Sequence, residues 1–194
     1  FHFLPYSSIE RIIEKLRTEH FVKDYKKSQK AYIEALVFIE DDIGIPLRIL
    51  PYDTTLVPLS TFLMRKSRDS LSASEVDFIK KWFWRASLNN RYGSEAATTA
   101  ITDTRILSEK TDLETVPGLN RPIFTIDDFI EAPSGSALGK SILGLLQSKK
   151  PLDLFSNIDL KLKGIQKRKK QIKNIDKHHI FPKDYLKTKL RGNN

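Results

Sequence analysis

Four histidines occur in the 194 residues, and two of them, His178 and His179, stand side by side near the C-terminal end. Asp176 lies just before the pair and Pro182 just after it, on the far side of a lysine-rich run. An imidazole with an ordinary pKa of about 6.5 accepts a proton from water at neutral pH, and a neighbouring carboxylate or imidazole can hold a divalent cation against a phosphate. That is the layout of metal-dependent phosphodiester cleavage. In an extended segment adjacent side chains point to opposite faces, so the two histidines take different roles, one toward a metal and one toward a nucleophile. The same pair would also suit a solvated surface loop, and Asp176 could equally fix the local turn or a histidine tautomer.

The charge distribution supports a polyanionic partner. Residues 140–194 carry 15 Lys or Arg against four Asp, a net of +11, whereas residues 1–139 carry 18 against 20, a net of −2. Lys161, Lys163, Lys167, Arg168, Lys169, Lys170 and Lys173 lie directly upstream of the His pair, and Lys183 follows it. Such a run neutralises phosphates, although a solvated helix face or a tether has the same composition. The chain contains no cysteine, which removes disulfides, thiolate zinc sites and cysteine nucleophiles. A metal must therefore be held by His, carboxylate, amide or water oxygen, a donor set that suits magnesium or manganese better than structural zinc.

The string from Ile175 to Leu186, Ile-Asp-Lys-His-His-Ile-Phe-Pro-Lys-Asp-Tyr-Leu, resembles the first half of an HNH (His-Me finger, ββα-metal) nuclease site. The variety it resembles stands at the C-terminal end of GmrSD-type modification-dependent restriction endonucleases. The resemblance implies that His179 is the general base activating water, that His178 is a metal ligand, and that Asp176 is a second acidic group near the metal. It implies DNA, possibly modified foreign DNA, as substrate, with Lys167, Arg168, Lys169, Lys170, Lys173 and Lys183 as phosphate contacts. In that family a following helix completes the metal site with an Asn and a further His or Asn. The sequence begins at Phe1, has its sole methionine at Met64 and stops at Asn194. It is therefore expected to be a piece of a longer protein, with the active site present only in part and no cleavage by the piece alone. Lys81 to Tyr92, Thr102-Asp103 and Leu50-Pro51-Tyr52 also resemble the helical region that such proteins place after an N-terminal nucleotide-handling domain.

The elements that must position these residues are read as helices. Ser7 with Glu10 forms a capping box for a first helix over about 8–20, carrying Ile9, Ile12, Ile13 and Leu16 on one stripe, with His20 in its last turn. A second helix carries Ala31, Ala35, Leu36 and Ile39 and closes at Asp42 to Gly44; its Glu40-Asp41-Asp42 triplet reads as solvated carboxylates rather than metal ligands. A short helix follows Pro58, and Ser72 with Glu75 opens the strongest helix, which carries Ile79, Trp82, Phe83 and Ala86. After Asn89 to Gly93 a restart capped by Ser94 runs through Ala97, Ile101 and Leu107. Arg91 is read as touching either a phosphate or Tyr92. Thr111 to Pro122 reads as a linker, and Thr125 and Ser136 cap two further helices. Leu138-Gly139-Lys140-Ser141 is not a phosphate loop, because the first glycine of that motif is missing and no strand precedes it.

The expected fold is mainly α: a multi-helix bundle over 1–110, a linker with small helices over 111–160, and a basic segment with an incomplete ββα-metal (HNH) element over 161–194. The expected core is Ile12, Leu16, Leu36, Ile79, Trp82, Phe83, Ile101 and Leu107. No apolar run approaches the roughly 18 residues of a membrane span, and the N-terminus lacks the pattern of a secretory signal, so a cytoplasmic protein is expected. The alternative function is a helical nucleic-acid-binding or partner-docking module without chemistry.

Overall fold

A computed structural model describes residues 18–150 and Leu152 of the chain, and among them it is mainly helical with no strand. Helix α1, Thr18–Phe38, passes directly into a π-helical turn, Ile39–Ile43, that Gly44 closes at φ +83°. Nothing between Phe21 and Lys30 breaks a helix, since the stretch holds neither Gly nor Pro, so the segment is helical throughout. His20 therefore lies within α1, and the helix C-terminus expected there is absent. The buried face of α1 is Ala31, Ala35, Phe38 and Ile39, spaced as one helical stripe.

Helix α2, Leu56–Arg65, holds Pro58 in its first turn, where the missing N–H costs nothing. Helix α3, Ala73–Leu88, opens on the Ser72–Glu75 capping box and buries Ile79, Trp82, Phe83 and Ala86. Helix α4, Ala96–Glu109, buries Ala100, Asp103, Ile106 and Leu107. Between α1 and α4, its two principal neighbours, α2 buries Leu59, Phe62 and Leu63. Ile101 is only half-buried, because the inward stripe of α4 passes one side of it. Leu36 likewise packs against the core from its edge. Ser94 does not cap α4. Glu95 takes the N-cap position in the left-handed region, φ +49°, with no side-chain cap. The remaining expected core residues, Ile12 and Leu16, lie outside the described residues, as does the expected ββα-metal element.

Residues 111–122 are not detached from this core. Leu113 and Leu119 are buried in it, and Arg85 of α3 donates to the Leu119 carbonyl at 3.0 Å. Helix α5, Ile126–Glu131, carries a full capping box between Thr125 and Asp128. Helix α6, Ala137–Ser148, is capped by Ser136 and packs on α3. Gly144 permits that approach: a Cβ there would stand 3.2 Å from Ile45 Cγ2 and 3.4 Å from the Trp84 ring. No helix among the described residues is long and apolar enough to cross a membrane.

Candidate functional site

The residues to which the sequence assigns chemistry, His179, His178 and Asp176, lie outside the described residues. So do the cations Lys167, Arg168, Lys169, Lys170, Lys173 and Lys183. The described part shows what the helical body does with its own polar groups, and which of its surfaces are left open.

Among the fully buried polar residues is a carboxylate, Asp103, in the middle of α4. A bare carboxylate there would be costly, and it is held by donors from three side chains, Trp82, Arg91 and Tyr92. The Trp82 indole Nε1 of α3 donates to Oδ2 at 2.9 Å, and the Tyr92 hydroxyl donates to the same oxygen at 2.6 Å. Arg91 donates from Nε and Nη2 to Oδ1 at 2.9 and 2.7 Å, a two-pronged ion pair, and from Nη1 to the Pro117 carbonyl at 2.9 Å. Burial, and then the neighbouring carboxylate, hold the Tyr92 hydroxyl well above the ordinary phenol value. With its side chain 12% exposed and its donors committed inward, Arg91 is a structural cation and not a phosphate contact. The tilted Tyr52 and Tyr92 rings, 5.8 Å apart, close the cluster, and the Tyr52 hydroxyl donates to Asn90 Oδ1. Sealed from solvent, the Asp103 carboxylate ties α3, α4 and the 117 loop together and has no access to a substrate. The sequence carries a signal for it: a lone carboxylate on the inward stripe Ala100, Asp103, Leu107, twelve residues after an arginine.

A second carboxylate is equally committed. Glu75 accepts from Lys66 Nζ at 2.7 Å, from Lys110 Nζ at 2.9 Å and from the Ser72 backbone N–H at 2.8 Å. The Lys66 bond leads the causes that hold its carboxyl far below the usual range, followed by the bonds from Lys110 and Ser72. Asp42, from the triplet at the end of α1, accepts from Arg68 Nε at 2.7 Å, with Asp41 3.6 Å from the same guanidinium. Those acids therefore tie the 68–70 turn to α1. Among the described residues no cluster of three His, Asp or Glu is assembled that could hold a metal ion.

What remains open is a cleft of about 390 Å³ between the end of α3, the 123–133 segment and the start of α6. Leu88, Ile123, Phe124 and Leu138 line it, with Asp128 and Glu131 at its rim. Its front wall is pinned by Asn89, whose Nδ2 donates to the Gly118 and Arg121 carbonyls, each at 2.9 Å, while its Oδ1 accepts from the Ile123 N–H at 3.3 Å. Its far wall depends on Gly139, where a Cβ would stand 2.0 Å from the Pro133 carbonyl oxygen. Ser141, one residue beyond Lys140, is fully buried and donates to Ala137 O at 2.8 Å, so the Gly139-Lys140-Ser141 string packs a helix.

Comparison of the chain with family models, with curated proteins and with solved structures returns no match.

The surroundings of the cleft are apolar and acidic. Ile126 and Ile130 of α5 are 77% and 74% exposed, Ile123 is 61% exposed, and the Phe124 and Phe129 rings stack at 6.1 Å. Residues 122–139 carry Asp127, Asp128 and Glu131 and no Lys or Arg. Hydrogen bonds from the Thr125 backbone and hydroxyl hold the Asp128 carboxyl below its ordinary value, so Asp128 stays anionic at neutral pH. Such a surface repels nucleic acid and suits a cationic, partly apolar peptide.

Proposed function

We propose that this chain is the helical body and the leading part of the nuclease end of a metal-dependent HNH-type DNA endonuclease. It would act against foreign, possibly modified, DNA within a longer protein that also has a nucleotide-handling domain. The observation that carries the reading is the string Asp176-Lys177-His178-His179-Ile180-Phe181-Pro182 directly behind a run of seven cations over residues 161–173. His179 takes the proton from the attacking water. His178 and Asp176 offer nitrogen and oxygen donors that would hold magnesium or manganese, and the ion would supply Lewis-acid stabilisation of the phosphate. The basic run draws the DNA backbone to them without sequence preference.

In the intact protein His179→Ala is expected to lower magnesium- or manganese-dependent cleavage by about 10²–10⁴ with DNA affinity nearly unchanged, as for loss of a general base. His178→Ala should instead lose activity that partly returns at high metal concentration. Full activity in the His179→Ala protein would remove the reading. A second reading, a docking module without chemistry, draws on the exposed Ile123, Ile126 and Ile130 beside the cleft. It would be favoured if the intact protein bound a partner through that face and cleaved nothing.

A further inference from the structure

We propose that the cleft between α3, α5 and α6 is the docking groove for the chain's own basic run, residues 160–173. The complementarity is of charge and of polarity together. Residues 122–139 carry three acids and no base, whereas residues 161–173 carry seven bases and no acid. Leu160, Leu162 and Ile165 are interleaved with Lys161, Lys163 and Lys167, so one segment offers both apolar side chains for Leu88, Phe124 and Leu138 and cations for Asp128 and Glu131.

The reach of the chain fits. The cleft lies at the start of α6, and the chain leaves α6 at its other end. The return along a 12-residue helix is about 18 Å. The roughly ten residues from Lys150 to Leu160 span up to about 33 Å when extended, enough to return with slack. Leu146, just before that stretch, and Leu152, near its beginning, are 60% and 55% exposed and add apolar surface. The proposed groove thus lies within reach of the run along the chain.

A consequence for regulation rests on the nuclease reading: cleft and DNA draw on the same cations, so docking masks the run until a polyanion displaces it. The docking itself does not depend on that reading.

Because the sequence has no cysteine, paired substitutions report proximity without background. In the full chain, Glu131→Cys is combined in turn with Ile165→Cys, Lys167→Cys and Lys170→Cys, and Lys26→Cys on α1 with Lys167→Cys serves as control. Glu131 and Lys26 are both exposed, so the fold tolerates them. At least one Glu131 pair should form an intramolecular disulfide about tenfold faster than the control, the gain expected when tethering becomes docking. Rates equal to the control for all three pairs would overturn the proposal, as would cross-links found only between two chains. Replacing Lys167, Arg168, Lys169 and Lys170 by Gln tests the other idea. If that change leaves DNA affinity unaltered while the Glu131 cross-link still forms in the parent chain, DNA binding by the run falls and the docking stands.

Discussion

At the scale of single residues the molecule commits its strongest donors to two carboxylates, Asp103 and Glu75. Asp103 has an indole, a phenol and a guanidinium around it, the first from α3 and the other two from the adjacent residues Tyr92 and Arg91 just after it. Removing one member of a buried ion pair leaves the other charge uncompensated, which typically costs about 3–5 kcal/mol. Asp103→Asn keeps an acceptor for Trp82 but strands Arg91, so it should lower the free energy of unfolding by about that amount, read from a denaturant titration. Asp103→Leu together with Arg91→Met should cost less than Asp103→Asn alone, because no buried charge is then left over. A double variant less stable than the single one would mean that the cluster works through its hydrogen bonds to Trp82 and Tyr92 and not through its charge pair.

At the scale of elements the helix starts are local devices that tertiary contacts then extend. Ser72 and Glu75 cap α3 as an isolated sequence would, but Glu75 also gathers Lys66 from the end of α2 and Lys110 from the end of α4. Its folded-state pKa is depressed, so its contribution is present above the ordinary carboxylate value and is lost as pH falls through and below it. Stability measured from about pH 6 downward should fall, and Glu75→Gln should be less stable at neutral pH and show a shallower acid decline. An identical pH profile for the two proteins would show that the network contributes nothing to folding. The packing of α6 on α3 makes a different demand. Gly144→Val places branched carbon against Ile45 and Trp84, and overpacking of this kind costs about 1–3 kcal/mol. It should lower the thermal midpoint and change the near-ultraviolet signal of the tryptophans, since Trp84 lies at that junction; an unaltered signal would mean α6 is not seated there.

At the scale of the whole molecule charge is segregated, with the acidic 122–139 surface preceding the basic run in the same chain. Each phosphate neutralised by a lysine or arginine contributes about 0.9 to the slope of log affinity against log salt on duplex DNA. Replacing Lys167, Arg168, Lys169 and Lys170 by Gln should therefore weaken DNA binding and flatten that slope, by about one unit for each phosphate left without its cation, with no change in sequence preference. Unchanged affinity and slope would refute a role for the run in DNA binding.

Much of this architecture is legible in the sequence, because the signals act over a few neighbouring residues. The pairs Ser72 with Glu75 and Thr125 with Asp128, the cap at Ser136, and the stripe Ile79, Trp82, Phe83 and Ala86 need only a helix to be satisfied. The chemistry proposed for His178 and His179 likewise rests on residue types and order alone. Other features depend on which distant segments meet. The 18–38 stretch is one helix, although its apolar pattern suggests a break near His20, because packing on α2 and the lack of a breaker outweigh local pattern. Arg91 reads in sequence as a contact of either a phosphate or Tyr92, and its pairing with Asp103, twelve residues on, is decided only by the fold. The cleft joins the end of α3 to the start of α6, far along the chain, and no short-range pattern encodes that meeting. Local sequence decides where α3, α5 and α6 begin because their caps are satisfied by near neighbours, whereas the uncapped starts of α2 and α4, the buried charge pairs and the open groove exist only once long-range packing has decided which surfaces lose their water.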